Sequence, residues 1–580
     1  MKTRAPGALA VLAALVSAAC ARAAVVLSPL PGTPDASPTT QLSILGVPAG
    51  GIASVRMVGS RSGAHLGALR AYASAPGASY LPRRSFVPGE TVVAQVRLTS
   101  GRALRTSFLI GRYVPHTPLV GPRARQLTGP GVQQLLSRPD LRPPLLDVRT
   151  DTAAAARAGD LFLAPIGGLA QGAQIGESGP LILGPRGGLV WFHPLPPGVL
   201  AMNFHPIGHG ELAWWQGDFT AVGYGIGQEM IVGPSYRLRQ VVRAGNGLQM
   251  DLHDFLLLAG GSAYVTAYVP VAADLRRWGG PENGAMLDCV IQRIDLRTGL
   301  VMWEWHAFGH QRPGDSYGEA ADGSFDPFHL NSLALDGRTL LVSERDSWEI
   351  LDLSLSTGHI LWRLGGRHSS FALAPGARFA WQHSARPGPH GTIAVFDNEG
   401  SGGRPTSRAL VLGLQPRRHR AVLVRADAHP SPPLFSFNQG NVQWLGDGGL
   451  FVDWGAQPWI SQFSAGGTLL FDAELPATDE TYRAFRAPWS AQPAGAPALA
   501  TRPSAGGGAT LYASWNGATD VADWAVRAGG RRIDEVPFRG FQTAIPLVHP
   551  PVRVDVQALG AGGRVLGTSP TLVVSSVAPS

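Results

Sequence analysis

The sequence predicts an all-β chain: a six-bladed β-propeller flanked by an N-terminal and a C-terminal β-sandwich of the immunoglobulin or fibronectin III kind. Three observations carry that expectation. Short apolar runs alternate with turn residues along nearly the whole length, and Gly 74 and Pro 48 supply the punctuation. The middle of the chain repeats one shape, a Gly turn leading into an alternating strand that ends on a large aromatic. The repeat length matches a four-stranded blade. A set of unrelated hairpins in two sandwiches is the competing arrangement.

The elements follow in order. Residues 1–24 read as a secretory signal: the basic Met1-Lys2-Thr3-Arg4, an apolar run from Ala8 to Ala19, and the cleavage pattern Ala21-Arg22-Ala23. Ser17-Ala18-Ala19-Cys20 loosely resembles a lipoprotein site, so the expected location is secreted or cell-envelope, with membrane attachment only if Cys20 is lipidated. No later stretch is apolar for the roughly 20 residues that a membrane span needs.

Residues 25–125 hold alternating runs such as Thr91-Val92-Val93-Ala94-Gln95-Val96-Arg97-Leu98, the pattern of a half-buried strand in a small sandwich. Residues 126–158 are rich in Pro and Arg and read as an extended connector. Residues 159–490 contain the repeat. Gly187-Gly188-Leu189-Val190-Trp191, Thr298-Gly299-Leu300-Val301-Met302-Trp303, Thr357-Gly358-His359-Ile360-Leu361-Trp362 and Gly466-Gly467-Thr468-Leu469-Leu470-Phe471 are its clear copies, and weaker ones end at Val242 and Val424. These six anchors are spaced by about 47 to 62 residues, which counts six blades. Residues 491–580 return to alternating strands with turns at Asn516-Gly517 and Gly529-Gly530, a fibronectin III-like sandwich.

Composition removes several function classes. With 44% hydrophobic and 15% charged residues the chain is globular rather than disordered. The net charge of +8 comes from scattered arginines, not a basic stripe, so no nucleic-acid partner is expected. Lys2 is the sole lysine, which rules out a phosphate-binding loop that needs one. Cys289 stands alone beyond the signal, so no intrachain disulfide forms, and it reads as a small buried apolar residue rather than a nucleophile. His306 and His310 are four apart, but Phe308-Gly309 between them favours a loop over a metal-binding helix. Gly314-Asp315-Ser316-Tyr317-Gly318 fits G-x-S-x-G without the strand-to-helix setting of a nucleophile elbow. Asp336, Asp346 and Asp352 read as solvated turn residues. No metal and no cofactor is expected.

What remains is a polar set at recurring strand edges. His253 lies in Leu252-His253-Asp254, His329 in Phe328-His329-Leu330-Asn331-Ser332, Arg345 in Ser343-Glu344-Arg345, and His383 in Trp381-Gln382-His383. Inner strand ends converge on one axis in a propeller, and histidine is the side chain suited to nucleophilic or acid–base work near neutral pH.

At these residues the chain resembles the bacterial arylsulfotransferases. Trp362-Arg363-Leu364-Gly365-Gly366, Phe396-Asp397-Asn398, Gly440-Asn441-Val442-Gln443 and Trp454-Gly455 extend the match in the same order. The resemblance implies sulfuryl transfer from a phenolic sulfate ester to a phenolic acceptor, without a nucleotide sulfate donor. It implies His383 as the nucleophile that is transiently sulfated, and His253 and His329 as handlers of the phenolic proton and the sulfuryl oxygens. Arg345 would bind those oxygens, and Asn331 would hydrogen-bond the substrate beside them. The chain departs from the best-known members in its shorter gaps and in lacking their cysteine pair. Two other readings stand beside this one: a non-catalytic binding or scaffold propeller of the cell envelope, and a quinoprotein-type dehydrogenase, which would require a quinone and a metal site.

Overall fold

A computed structural model describes residues 25–116, 125–168, 173–220, 223–321, 323–399, 406–504 and 507–574. The expected signal, its cleavage pattern and Cys20 lie outside the described residues. The protein is all-β. Among the described residues, helix is confined to one α-helical turn of four residues, Ala153–Ala156, and short 3-10 turns. No described helix is long and apolar enough to cross a membrane.

Near the N-terminus two four-stranded antiparallel sheets face each other. One is ordered Val26–Ser28, Leu42–Leu45, Gly77–Pro82, Gly67–Ala71, and the other Gly63–His65, Ile52–Gly59, Thr91–Leu98, Ala103–Leu109. Thr91–Leu98 alternates as its sequence dictates: Val92, Ala94, Val96 and Leu98 enter the shared core, while Thr91, Gln95 and Arg97 face water.

Among the described residues, six sheets of four or five strands occupy the middle of the chain, beside two two-stranded pairings. Five are runs of four consecutive antiparallel strands: 200–242, 255–306, 330–365, 383–428 and 441–474. The sixth joins distant segments, in the order Phe485–Ala487, Asp160–Leu163, Leu181–Leu183, Leu189–Phe192. Trp191, Val242, Trp303, Trp362, Val424 and Phe471 each fall in the last strand of one sheet, so the repeat seen in sequence marks one strand position throughout.

The packing explains why the inner strands are continuously apolar instead of alternating. Leu340 and Val342 point into a core shared with Trp303 and Trp305 of the preceding sheet. Leu341, between them, points into another core with Ile393 and Val395 of the following sheet. Ala394 and Phe396 then pack on Leu450 and Val452 of the next. A strand buried on both faces must be apolar at every position. The succession continues through Phe451 and Phe471 against Leu161 and Leu183, and through Phe162 and Ile182 against Leu212 and Trp214. Ala213 and Trp215 against Val265 and Ile294 complete it.

The Pro-rich stretch 126–158 is mostly irregular yet anchored. Arg125–Leu127 pairs in parallel with Ala173–Ile175, and Asp147–Asp151 adds an edge strand to Leu469–Glu474. Toward the C-terminus, a sheet ordered Ala498–Pro503, Ala509–Ser514, Gln542–Leu547 covers a five-stranded sheet over a core containing Leu511, Trp524, Ile545 and Val554. Its turn docks on the sixth sheet. Asn516 Oδ1 accepts from the Phe192 N–H at 3.0 Å, and Asn516 Nδ2 donates to the Phe192 carbonyl at 2.9 Å. Gly517 has φ +95°, and a Cβ there would sit 2.2 Å from the Tyr236 ring, so only glycine fits.

Candidate active site

His253, His329, Arg345 and His383 line one cavity of about 340 Å³, together with Asp326, Asp346, Phe437, Gln439 and Tyr482. The sheets place them by a common device. His253 and His329 come just before the first strands Phe255–Leu258 and Leu330–Asp336, His383 opens His383–Gly388, and Arg345 follows Thr339–Glu344. Four non-glycine residues here hold left-handed backbone: His329 (φ 52°), Trp381 (54°), Ser384 (56°) and Gln439 (60°). Such conformations are costly and persist where surrounding bonds over-determine them.

Those bonds are visible. Asp326 Oδ1 accepts the His329 N–H at 2.9 Å, and its Oδ2 lies 2.8 Å from His329 Nδ1. Burial works against a proton on His329, but the Asp326 carboxylate, its hydrogen bond and Asp346 outweigh that, and the pKa is raised. His253 differs. Its Nδ1 is 2.7 Å from Asp251 Oδ2, and Asp251 also accepts from the Gly225 and His253 N–H groups and the Thr266 hydroxyl. Burial dominates over Asp251, so the His253 pKa is lowered. The two rings meet edge-to-face with centroids 4.9 Å apart, one inclined to hold a proton and the other to shed it.

His383 is the most strongly depressed of the three. Burial first, then the Arg345 charge, drive its pKa well below the ordinary value against the pull of Asn398. Nδ1 faces two oxygens, Asn398 Oδ1 at 2.8 Å and the Trp381 carbonyl at 3.1 Å, so Nδ1 carries the hydrogen. The amide of Asn398 cannot be reversed, because its Nδ2 donates to the carbonyls of Ser436 and Gln439. The Nε2 lone pair is left free apart from the Gln439 N–H at 3.3 Å.

Arg345 pairs with Asp346 Oδ1 at 2.6 Å, donates to the Phe437 carbonyl at 3.0 Å, and lies 4.5 Å over the Trp381 ring. Trp348 props Trp381 edge-on at 5.4 Å, so the guanidinium plane is fixed from behind.

Two expectations are corrected. Asn331 does not line the cavity. It is fully buried, its Nδ2 donates to the Gln382 carbonyl at 2.8 Å, and its Oδ1 accepts from the Ser384 N–H at 3.4 Å. With its polar atoms spent on the backbone either side of His383, it is a positioning residue rather than a substrate contact. Asp346, expected in solvent, is in the cavity wall paired with Arg345. Asp251, Asp326 and Asn398 were missed as site residues. The first two stand two and three positions before their histidines, a short-range carboxylate–histidine spacing that could have flagged them.

The weaker candidates stay apart from this cavity. Ser316 follows a 3-10 turn, and its hydroxyl accepts from the Gly318 N–H at 3.0 Å and donates to the Asp346 carbonyl at 3.4 Å. Cys289 is fully buried, and burial pushes its thiol up. The His310 ring bonds the main-chain carbonyl of His306 through Nδ1 at 2.9 Å.

Fold and site together define an all-β protein whose successive sheets bring histidines and a fixed arginine to one cavity, a setting suited to a small anionic ester. Residues 209–475 match the model of the arylsulfotransferase (ASST) family, and that domain match supports an arylsulfotransferase-like function. No protein of curated function matches it. Among solved structures it is similar to a protein of unknown function from Bacteroides caccae, at 14% identity over 57% of this chain and 98% of that one, with a TM-score of 0.36. It is also similar to a DUF4784 family protein from Bacteroides caccae ATCC 43185, at 9% identity over 80% and 98%, with a TM-score of 0.27.

Proposed function

We propose that the protein transfers a sulfuryl group from a phenolic sulfate ester to a phenolic acceptor through a sulfated His383, without a nucleotide sulfate donor. The observation that carries this reading is the fixed tautomer of His383, whose unprotonated Nε2 faces a cavity shared with His253, His329 and Arg345.

In the first half-reaction Nε2 attacks sulfur in line, an N–S bond forms, and the S–O bond to the phenol breaks. His329, inclined to be protonated, gives its proton to the departing phenolate, a contribution of roughly 10²–10⁴ in rate. Sulfuryl transfer, like phosphoryl transfer, depends on positioning and on stabilising three equatorial oxygens. The Arg345 guanidinium, the His253 ring and the Gln439 N–H surround the place those oxygens would occupy. In the second half the acceptor hydroxyl gives its proton to His329, its oxygen attacks sulfur, and the N–S bond breaks to restore His383. A cavity of about 340 Å³ suits one small aromatic ligand at a time, so the first phenol leaves before the acceptor enters.

The six packed sheets support reading 159–490 as a six-bladed propeller, with β-sandwich modules at 25–125 and 491–580. The basic and apolar start of the chain supports secretion to the cell envelope or beyond.

The test is release of phenol from a chromogenic aryl sulfate, with and without a phenolic acceptor, in wild type and His383→Ala. Acceptor-dependent release lost in the variant is the expected result. No release by folded wild type across several aryl sulfates and acceptors would overturn the proposal in favour of a binding propeller.

A further inference from the structure

Away from the cavity, where the N-terminal pair of sheets meets the strands Gly284–Asp295 and Val301–His306, three carboxylates surround one imidazole. His306 Nδ1 lies 2.7 Å from Asp288 Oδ2 and 3.1 Å from Asp35 Oδ1, and its Nε2 lies 3.1 Å from Glu304 Oε1. All four side chains are buried, and Asp35 is 3% exposed. Neither carboxylate oxygen of Asp35 accepts a hydrogen bond, although both are sealed from water. Among the described residues the ion pairs of Asp35, Asp288 and Glu304 are all with His306. One imidazolium offsets a single carboxylate. With all three carboxylates ionised, two buried negative charges would stand without a counter-ion.

We propose that Asp35, Asp288 and His306 form a binding site for a divalent transition-metal ion of the zinc type. Its ligands would be Asp35 Oδ1, Asp288 Oδ2 and His306 Nδ1. The separations of 2.7 and 3.1 Å between the nitrogen and the two oxygens suit neighbouring ligands on an ion with bonds of roughly 2.0–2.2 Å. The surroundings are arranged as around a metal-bound histidine. Nε2–H is directed at Glu304, and Glu304 Oε2 is held by Asn246 Nδ2 at 2.8 Å and Gln292 Nε2 at 2.6 Å. Asp288 Oδ1 is occupied by the Phe308 N–H at 2.8 Å, which leaves Oδ2 for the ion. His310, the expected partner of His306 from sequence spacing, takes no part. Asp35 precedes the strand Leu42–Leu45 while the other ligands belong to a central sheet, so the ion would staple the two units together.

The experiment uses the untagged full chain, stripped with a chelator and titrated separately with Zn²⁺ and Co²⁺. Expected are about one tightly held Zn²⁺ per chain, a Co²⁺ visible spectrum of nitrogen and oxygen ligation, and a zinc-dependent rise in Tm of roughly 2 °C or more. Asp35→Asn should abolish all three, Glu304→Gln should weaken binding by about 10–100-fold, and His383→Ala should leave binding intact. Failure of the stripped wild type to bind either ion, or loss of binding in His383→Ala with retention in Asp35→Asn, would overturn the proposal. The wild-type titration decides the matter even if Asp35→Asn does not fold.

Discussion

The Nδ1–H of His383 donates to Asn398 Oδ1 at 2.8 Å, and Asn398 is itself held by two carbonyls that accept from its Nδ2. A neutral amide thus selects the tautomer without adding charge. Asn398→Leu should lower kcat by about 10–100-fold while KM changes little, because the ring loses its orientation rather than its contact with substrate. Asn398→Asp should keep the tautomer but favour the imidazolium, moving the acidic limb of the rate profile upward by about one unit or more. Steady-state kinetics across pH on the two variants check both.

The histidines predict the wild-type profile. His383 and His253 have lowered pKa values, so the nucleophile gains its lone pair as pH rises through a point below the usual imidazole range. His329 has a raised pKa, so the acid is lost as pH rises through a point above that range. The expected kcat/KM profile is a bell with a plateau spanning neutrality, and His329→Gln should remove its basic limb. A profile that falls between pH 6 and 7 would exclude this division of roles.

Arg345 holds a planar, stacked position over Trp381 that an ammonium cannot reproduce. Arg345→Lys should reduce kcat/KM for an aryl sulfate by about 10²-fold or more, with the larger part in kcat. Trp381→Leu, which removes the stacking face and keeps the charge, should fall between wild type and the lysine variant.

Glu344, next to Arg345 in sequence, is fully buried, and burial followed by repulsion from Glu349 pushes its pKa up from 4.5 to about 8. The folded state therefore binds a proton that the unfolded chain has released. Stability from this group falls as pH climbs from about 4.5 to about 8 and is level beyond. Glu344→Gln should match wild type in Tm near pH 5 and exceed it near pH 8, where Ser347 can rotate its hydroxyl to suit the amide. Thermal melts at the two pH values give the comparison.

The strand class and the repeat were legible because the chain advertises them locally. Gly turns and terminal aromatics mark the repeated strand in four of the six central sheets, and unbroken runs such as Leu340-Leu341-Val342 mark strands buried on both faces. The four polar residues brought to one cavity were legible from their places beside those runs. Asn331 was misread because its distance from His329 does not say which way a bulged strand turns its side chain: the register slips between Leu330 and Ser332. Asn398 and Gln439 act on His383 from the end of the neighbouring strand and from the loop before the next sheet, relations that no short spacing encodes. The His306 cluster was beyond reach for the same reason, since Asp35 comes from the N-terminal sheets and Asp288 from the strand beside His306.

The pairing of Phe485–Ala487 with Asp160–Leu163 sets a schedule for biosynthesis. Arg486 reaches the Gly159 carbonyl across 327 residues of chain, so among the six central sheets the one whose strands emerge first is the last to be completed. Until Phe485–Ala487 leaves the ribosome, the apolar edge at Leu161 and Phe162 stays unpaired. A chain cut short just before Phe485 would keep every residue that lines the cavity and still present an open, adhesive sheet edge to its neighbours.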